Sequence, residues 1–365
     1  MSTAAQTGEE RAAALGERVF QAVLGALDLG AIHLGERLGL YVALRDHGPL
    51  TSVALAEHTD TDERYVREWL EQQAVSGFLE VANAQATPSE RLFCLPDAYV
   101  EALTDQDSLA YLPPVGRMTL GFFQPIAHLL EAFRTGGGVA YRDYGEDTRE
   151  GIATMNRVMF INQLGTEWFP AVADLHQRLT AAPARIADIG CGTGWSSIAM
   201  ARAYPRATID AFDVDPDSVR RARANVVEAG LGDRVQVVEH DAGSGTLSGT
   251  YDVVTMFESL HDMARPVEAL VTAKRLLSDG GSVIIGDERV ADSFGAPGDE
   301  VERLMYGCSV LHCLAVGIAD HEHSVATGTV MRTDTLRRYA ADAGLTSVEV
   351  LPIENDFWRF YRLRP

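Results

Sequence analysis

Apolar residues recur at helical spacing through the first part of the chain. Between Gly16 and about Leu44 this spacing indicates one or two helices. In residues 48–81 a turn, a helix, a second turn and another helix follow, and the segment ends in a short strand. The stretch RLFCLPDAYV then provides a return strand. This order predicts a helix-turn-helix followed by a wing, which is the layout of a winged helix.

Residues 111–180 also have helical spacing, interrupted by glycines at 136–138. Met155, Met159 and Gln163 fall on one face of the helix predicted near the end of this region. Apolar walls with a few polar groups are typical of small-molecule pockets. We therefore expect this face to contact a substrate.

From residue 184 onwards, strand-like and helical segments alternate. This alternation predicts a parallel sheet covered by helices on both faces, with ligands bound at the carboxyl ends of the strands. The last segment, TSVEVLPIENDFWRFYRL, reads as two further strands joined by a short polar turn. The pattern thus indicates an α/β domain that ends in an antiparallel pair.

A glycine-rich turn follows the first of these strands, in ARIADIGCGTGWSS. A dinucleotide fingerprint has the spacing G-x-G-x-x-G and places a pyrophosphate at a helix N-terminus. Here Gly190, Gly192 and Gly194 have the spacing G-x-G-x-G, the bulky Trp195 follows, and Asp188 precedes the turn. A carboxylate at that position would repel a pyrophosphate, so the pattern favours a ligand with positive charge.

The run from Asp188 to Gly194 resembles the first motif of class I S-adenosylmethionine-dependent methyltransferases. The resemblance continues through residues 184–290. It implies a Rossmann-like sheet of seven strands within the α/β class. It also implies S-adenosyl-L-methionine as the cofactor and S-adenosyl-L-homocysteine as its product.

The same resemblance assigns roles to residues that follow the strands. Asp213 stands where the family has the acid that accepts both ribose hydroxyls, and two carboxylate oxygens suit a vicinal diol. Asp241 falls at the contact with the adenine amino group, and Phe257 falls at the methionine end. The expected cofactor-binding residues are Asp188, Gly190, Gly192, Gly194, Asp213, Val214, Asp241, Ala242 and Phe257.

Taken whole, the chain resembles small-molecule methyltransferases of the actinobacterial and plant O-methyltransferase type. This resemblance implies a helical and winged-helix dimerisation domain in residues 1–110 and a helical bridge lining the pocket in 111–180. Residues 181–365 would form the catalytic domain, with a lid insertion at 291–330. A homodimer that methylates a small, hydroxyl-bearing metabolite of secondary metabolism is the implied assembly and activity.

Methyl transfer from a sulfonium is an in-line displacement, and a base helps when the acceptor is a hydroxyl. His261 lies where similar O-methyltransferases carry a catalytic histidine, and Asp262 follows it as a partner. The alternatives are that His261 only packs, that Asp262 only caps the next helix, or that Glu258 is the base. On the mixed helical face of the lid, we expect Tyr306 and His312 to contact substrate.

Charge narrows the choice of partner. The chain has a net charge of −21, and residues 51–80 contain seven acidic residues against two basic ones. A surface with this excess of negative charge repels phosphates, so we expect no nucleic acid as partner. The winged helix is then interpreted as a dimerisation and substrate-capping module.

The four cysteines have no CxxC spacing. Cys308, His312 and Cys313 lie close together, but a lone triplet of this kind packs more often than it binds metal, so no metal site is expected. No signal peptide is recognised, and no apolar run is read as long enough to cross a membrane. We therefore expect a soluble, cytoplasmic protein without membrane contact.

Two other functions fit the same residues. The chain could be an S-adenosylmethionine-binding winged-helix regulator, against which the acidic helix-turn-helix counts. It could also be a methyltransferase-like scaffold that rearranges its substrate without methyl transfer. The sequence does not separate this last function from methylation, whereas the mass of the product does.

Overall fold

The computed structural model describes residues 7–319 and 323–365. The chain folds into two compact units, Met1–Leu120 and Gly121–Pro365. The boundary between them falls inside a helix, ten residues beyond the boundary expected at 110. The expected three-part organisation stays a prediction.

The first unit contains helices and one two-stranded sheet. Its elements are α1 Gly8–Arg37, α2 Leu40–His47, α3 Ser52–Thr59, α4 Glu63–Val75, β1 Glu80–Val81, β2 Phe93–Cys94, α5 Asp97–Thr104 and the start of α6 Pro113–Phe122. Helices α3 and α4 form the helix-turn-helix, and β1 pairs antiparallel with β2 to form the wing. The prediction of a winged helix is confirmed.

Local capping fixes the two helices of this motif. Thr51 accepts a hydrogen bond from the backbone of Ala54 at the start of α3, and Asp62 does the same for Arg64 and Tyr65 at the start of α4. Such caps satisfy backbone donors that have no partner inside the helix. The apolar sides of α3 and α4 then pack into one core with α2 and β2.

The second unit begins with helices and continues as alternating strands and helices. Its helices are α7 Ile126–Thr135, α8 Gly145–Met159, α9 Ala173–Ala181, α10 Trp195–Ala203, α11 Pro216–Glu228, α12 Pro266–Leu276, α13 Glu300–Cys308, α14 Leu314–Ala319 and α15 Thr333–Asp342. Its strands are β3 Ala184–Ile189, β4 Ala207–Asp213, β5 Val235–Glu239, β6 Tyr251–Phe257, β7 Leu277–Glu288, β8 Ser347–Val350 and β9 Trp358–Arg364. A π-helical segment, Phe160–Trp168, extends α8, and a second one, Ser309–Cys313, joins α13 to α14.

These seven strands form one sheet in the order β5-β4-β3-β6-β7-β9-β8. Strands β3 to β7 run parallel, whereas β9 is antiparallel to both β7 and β8. The chain reverses its direction of winding between β3 and β6, and open α/β sheets bind ligands at such a point. The α/β fold class and the antiparallel ending are confirmed.

Consecutive residues of the central strands face opposite layers of the core. Ile186 packs on one side of β3 and Ala187 on the other, and Val253 and Val254 of β6 divide in the same way. The two layers bury both faces of the sheet, as parallel strands require. This rigid base holds the carboxyl ends of β3, β4 and β6 in place.

One helical stretch among the described residues, Glu300–Ala319, has the length and composition to cross a membrane. Its apolar window has a mean hydropathy of 1.3 and is 44% buried inside the protein. Glu302 within it forms an ion pair with Arg332 at 2.6 Å. Core helices pass the same test of length and composition, so this is a weak indication of a membrane. The sequence predicted a helical lid here, but no run long enough to cross a membrane.

Candidate active site

Three glycines with positive φ build the turn after β3. Gly190, Gly192 and Gly194 have φ angles of +71°, +53° and +84°. A Cβ on Gly190 would lie 2.4 Å from Ser259 Cβ, and one on Gly194 would lie 3.1 Å from Ala222 Cβ. No described protein atom lies within 4 Å of the Cβ position of Gly192. The outer glycines therefore permit close packing, whereas Gly192 leaves open space beside the turn.

A cavity of about 220 Å³ lies at the carboxyl ends of β3, β4 and β6. Many of its walls are residues expected from the sequence, namely Gly190, Gly192, Asp213, Val214, Asp241, Ala242, Phe257, Glu258 and Asp262. Other wall residues were not expected from the sequence, and they include Tyr141, Arg149, Asn156 and Phe160. The cavity thus occupies the edge of the sheet where a ligand was expected.

Asp213, at the end of β4, faces this cavity with its carboxylate fixed by the backbone. The N–H of Gly192 donates to Asp213 Oδ2 at 2.7 Å, and the N–H of Asp215 donates to Oδ1 at 2.9 Å. Burial raises the pKa of Asp213 to about 6. Each oxygen keeps acceptor capacity for a ligand hydroxyl.

Tyr141 and Arg149 form a wall that has no recognisable signal in the sequence. Arg149 Nε lies 3.1 Å from Asp215 Oδ2, and its guanidinium lies 5.7 Å from the centre of the Tyr141 ring. Burial raises the pKa of the Tyr141 hydroxyl, which therefore stays protonated and can donate a hydrogen bond. This wall comes from the helical region before the sheet, so only the folded chain identifies it.

Asp241 lies at the rim of the cavity, after β5. Its Oδ1 accepts from the backbone N–H of Gly243 at 2.7 Å, and its Oδ2 forms an ion pair with Arg265 at 2.5 Å. The carboxylate is half exposed, so salt and solvent weaken this pair. Asp241 thereby closes one end of the cavity.

Two of the expected cofactor residues do not line the cavity, and their role in cofactor binding stays a prediction. Asp188 is buried and accepts hydrogen bonds from the hydroxyls of Ser196, Ser197 and Thr255 at 2.6, 2.6 and 2.7 Å. It ties β3 to the start of α10 and to β6. Gly194 is the N-cap of α10 and also lies outside the wall.

Glu258 belongs to a buried pair of carboxyl groups. Burial raises the pKa of Glu288, and the adjacent Glu258 carboxylate raises it further, so Glu288 carries a proton and donates to Glu258. Asn156 Nδ2 and Trp358 also donate to Glu258. Glu258 has a positive φ of 47°, which is rare outside glycine. Three donors and the backbone therefore hold this carboxylate at the cavity wall.

His261 is 3% exposed and does not line the cavity. Its Nδ1 lies 2.9 Å from Asp287 Oδ1, and its Nε2 lies 3.3 Å from Asp262 Oδ1. Burial lowers the pKa of His261, but the Asp287 and Asp262 carboxylates outweigh it and raise the pKa well above its ordinary value. Both ring nitrogens of His261 thus face carboxylates of the protein itself, and its role as the base stays a prediction.

Asp262 does not cap the following helix. Arg265 is the N-cap of α12, and no side chain makes a capping hydrogen bond there. Asp262 instead pairs with His261 and contributes to the cavity wall.

The residues expected to contact substrate from α8 and its π-helical extension do not line the cavity. Met155, Met159 and Gln163 are not wall residues, whereas Asn156 and Phe160 are. Met159 packs against the core under the sheet, and Gln163 bonds to Glu167. A shift of one residue along a helix turns the side chain by about 100°, and the contact of these three residues with substrate stays a prediction.

Neither residue expected to contact substrate from the lid lines the cavity, and their contact with substrate stays a prediction. Tyr306 is half exposed, and its hydroxyl accepts from Arg332 at 3.3 Å. His312 is buried, with its ring 4.7 Å from that of Phe122 and 4.6 Å from that of Tyr144. Aromatic packing thus takes His312 away from the cavity, whose wall receives Val316 from this insertion.

Comparison with known families identifies two parts of the chain. Residues 186–281 match the family described as methyltransferase domain. This chain contains a methyltransferase domain. Residues 25–104 match the Rv2258c-like winged helix-turn-helix domain. The methyltransferase domain starts in β3 and ends in β7, so it carries the glycine turn, Asp213 and Glu258.

Curated relatives match part of the chain. A ubiquinone biosynthesis O-methyltransferase from Xanthomonas oryzae is 37% identical over 110 residues, which make up 30% of this chain and 44% of that protein. Its counterpart from Ralstonia nicotianae is 31% identical over 123 residues, or 34% of this chain and 48% of that protein. The chain spans less than half the length of these relatives.

Solved structures resemble the chain over nearly its whole length. The mitomycin 7-O-methyltransferase MmcR has a TM-score of 0.71 at 21% identity, covering 98% of this chain and 99% of its own. Human N-acetylserotonin methyltransferase, solved with S-adenosylmethionine, has a TM-score of 0.70 at 15% identity, covering 100% of this chain and 99% of its own. At such identities the likeness concerns the fold: a methyltransferase domain of class I preceded by a winged helix.

Proposed function

We propose that this chain is an S-adenosylmethionine-dependent methyltransferase that transfers a methyl group to a hydroxyl-bearing small molecule by in-line displacement. The observation that carries the proposal is the pairing of an open Cβ position at Gly192 with the fixed carboxylate of Asp213. A ligand can approach the glycine turn closely and meet two acceptor oxygens there. A vicinal diol such as a ribose fits this arrangement.

The charges around the cavity favour a cationic cofactor over a dinucleotide. Its walls bring together the acidic residues Asp213, Asp241, Glu258 and Asp262. The cation Arg149 in the same wall is already paired with Asp215. This surplus of carboxylates would repel a pyrophosphate, whereas it suits a sulfonium and an amino group.

The roles of the wall residues follow from their positions. Asp213 would accept the ribose hydroxyls, with Val214 beside it, and Asp241 and Ala242 would meet the adenine end. Phe257 and Glu258 would lie towards the methionine end. When bound, S-adenosylmethionine supplies an electrophilic methyl group.

Glu258 is the proposed proton acceptor for the acceptor hydroxyl. Glu258, which Asn156 and Glu288 hold in place, would take the proton of the acceptor hydroxyl, while the bound cofactor would supply the methyl group and keep its sulfur as the leaving group. A carboxylate in a buried pair has a raised pKa and is a stronger base than an exposed one. His261 and Asp262 would act as positioning residues that fix the loop after β6.

A small molecule is the proposed acceptor, since the winged helix is poorly charged for nucleic acid. In α4 the basic residues are already paired on the same helix, Arg64 with Glu68 and Arg67 with Glu63. DNA-binding helices need cations that reach phosphates. A salt-sensitive anisotropy change on titration of duplex DNA would contradict this part of the proposal.

The proposed assembly is a homodimer formed through the first unit. Helix α1 exposes large apolar side chains, with Leu15, Phe20 and Leu27 at 61%, 57% and 64% exposure. A second copy of the chain would bury this face, which is unusually apolar for a surface helix. Light scattering at micromolar concentration should give twice the mass of 39.6 kDa.

A cytoplasmic location and a role in secondary metabolism complete the proposal. All four cysteines, which lie within the described residues, are free thiols, as in reducing compartments. The likeness to mitomycin 7-O-methyltransferase supports an acceptor of the secondary-metabolite type.

One incubation tests the activity. The purified protein is mixed with methyl-labelled S-adenosylmethionine and a small-molecule extract of its source organism, and the products are analysed by mass spectrometry. Label in a metabolite supports methyl transfer. Tight cofactor binding without any labelled or otherwise changed product would overturn the proposed methyltransferase activity. A changed product without added methyl mass would indicate a rearrangement instead.

A further inference from the structure

A second group of chemically reactive side chains lies beside the cavity, between the loop after β6 and the second π-helical segment. His261 and Asp262 belong to the loop, and Cys313 ends the segment Ser309–Cys313. One ligand atom from each of these residues lies within 4.8 Å of the others. His261 and Cys313 are buried, and Asp262 is half-buried. Residues distant in sequence are thus gathered around one point.

We propose that His261, Asp262 and Cys313 bind one divalent transition-metal ion of the zinc type. In a tetrahedral zinc site, neighbouring N and O ligands are about 3.3 Å apart. His261 Nε2 lies 3.3 Å from Asp262 Oδ1, and a ligand atom of Cys313 lies within 4.8 Å of those of both residues. One edge of the tetrahedron is therefore already formed, Cys313 provides the third ligand, and a fourth ligand would come from solvent.

Asp287 completes this arrangement from behind His261. Its Oδ1 lies 2.9 Å from His261 Nδ1, so the other ring nitrogen, Nε2, is the one directed at Asp262. A carboxylate on the far nitrogen of a metal-binding histidine fixes the ring orientation and increases its basicity. The carboxylate–histidine half of a zinc site is thus already formed by these two residues.

Unsatisfied polar atoms also indicate a missing partner at this point. Asp262 Oδ1 and Asp287 Oδ2 are shielded from solvent and make no hydrogen bond to any described residue, and Asp262 Oδ1 has only the ion pair with His261 Nε2 at 3.3 Å. Buried carboxylate oxygens without partners are costly. A cation bound at Asp262 would satisfy the first of them directly.

The ligand types select the class of metal. One thiolate, one carboxylate and one neutral imidazole form a mixed ligand set of borderline softness, which suits Zn²⁺ or Co²⁺, whereas Mg²⁺ and Ca²⁺ prefer oxygen ligands. Metal binding would release the protons of the Cys313 thiol and the His261 ring to solvent. The resulting thiolate and the Asp262 carboxylate would then balance the charge of a divalent ion. Such a neutral site is compatible with burial.

Cys313 lies at the end of a π-helical segment. Single π-helical turns inside α-helices occur frequently at functional sites. Here the turn Ser309–Cys313 ends at the proposed thiolate ligand. A metal would join this turn to the loop after β6 and so fix one side of the cavity without taking part in proton transfer, which is assigned to Glu258.

The experiment measures metal binding directly. Full-length protein without an affinity tag is dialysed against a chelator, and Zn²⁺ is titrated by calorimetry. Co²⁺ is added in parallel, because a thiolate ligand gives an intense sulfur-to-metal absorption band. The expected result is one ion per chain with that band. No stoichiometric binding would overturn the proposal.

Variants locate the site. Cys313→Ser should weaken Zn²⁺ binding by about 100-fold or more and abolish the Co²⁺ band, and Asp287→Asn should weaken binding by about 10–100-fold. Cys308→Ser is the matched control, since Cys308 lies on α13 outside the cluster, and it should bind as the unchanged protein does. If Cys313→Ser does not fold, Asp262→Asn replaces it. Unchanged binding in the ligand variants would overturn the proposal, and S-adenosylmethionine affinity, measured separately, reports on the proposed function.

Discussion

The backbone N–H of Gly192 donates to Asp213 Oδ2 at 2.7 Å. This bond joins the turn after β3 to the end of β4, two neighbouring parallel strands. The same glycine has an open Cβ position, and the same carboxylate lines the cavity. One contact thereby fixes both the space for a ligand and the acceptor that recognises it.

Replacing Asp213 by alanine should weaken S-adenosylmethionine binding. A hydrogen bond to a charged group contributes about 1.5–3 kcal/mol, so the dissociation constant should rise by roughly 10–150-fold. Isothermal titration calorimetry measures this. Asp233→Ala, at an exposed turn outside the cavity wall, is the control and should leave affinity unchanged. Equal affinities in the two variants would contradict the ribose assignment.

Cofactor affinity should depend on pH through Asp213. Burial raises its pKa from 3.8 to about 6, so the carboxylate gains a proton as the pH falls through 6 and loses acceptor capacity. Affinity should be constant above about pH 7 and decline by up to about tenfold per pH unit below 6. Calorimetry between pH 5 and 8 checks this. The Asp213→Asn variant should lack this dependence. If its affinity still fell with pH, a group other than Asp213 would be responsible for the pH dependence.

The glycines of the turn should respond differently to alanine. At Gly192 the new Cβ meets no described atom, so the variant should fold with a loss of about 1–2 kcal/mol from positive φ and bind cofactor more weakly. At Gly190 the Cβ would lie 2.4 Å from Ser259 Cβ, which adds about 1–3 kcal/mol of overpacking. Denaturant unfolding and calorimetry separate the effects. Equal stability in both variants would be inconsistent with this geometry.

Asp188→Asn should reduce stability instead of removing a ligand contact. The amide keeps one acceptor oxygen for three buried hydroxyl donors, so the free energy of unfolding should fall by about 1.5–3 kcal/mol. Urea unfolding measures this, with the exposed Asp279→Asn as control. An unchanged unfolding midpoint would refute the bracing role of Asp188.

Glu258→Gln should slow methyl transfer by much more than it weakens cofactor binding, because the amide cannot accept the proton whereas three other carboxylates remain in the cavity wall. Loss of a general base costs about two to four decades in rate. The rate is measured by label transfer to the acceptor identified by mass spectrometry, with the exposed Glu268→Gln as control. Normal turnover in Glu258→Gln would leave positioning as the main source of catalysis.

The sheet and the glycine turn were predictable because their signals are local. Alternating strands and helices, three glycines and an acid at the end of β4 are each visible within a few residues. The winged helix was predictable for the same reason, since its caps Thr51 and Asp62 stand next to the helices they begin.

The features that the sequence did not predict depend on three-dimensional partners. The partners of Asp188, Ser196 and Thr255, lie on a helix and a strand that only the fold brings near it. The ring of His261 is engaged by Asp287 from the neighbouring strand. The position of Asn156 depends on the exact rotation of α8, which the spacing of apolar residues does not define.

The most direct test of the proposed function is a pair of calorimetric titrations of the unchanged protein, one with S-adenosylmethionine and one with NAD⁺. We predict one molecule of S-adenosylmethionine bound per chain and no binding of NAD⁺, because the cavity offers acceptor carboxylates where a pyrophosphate would need donors. Binding of NAD⁺ with no binding of S-adenosylmethionine would contradict the proposed function.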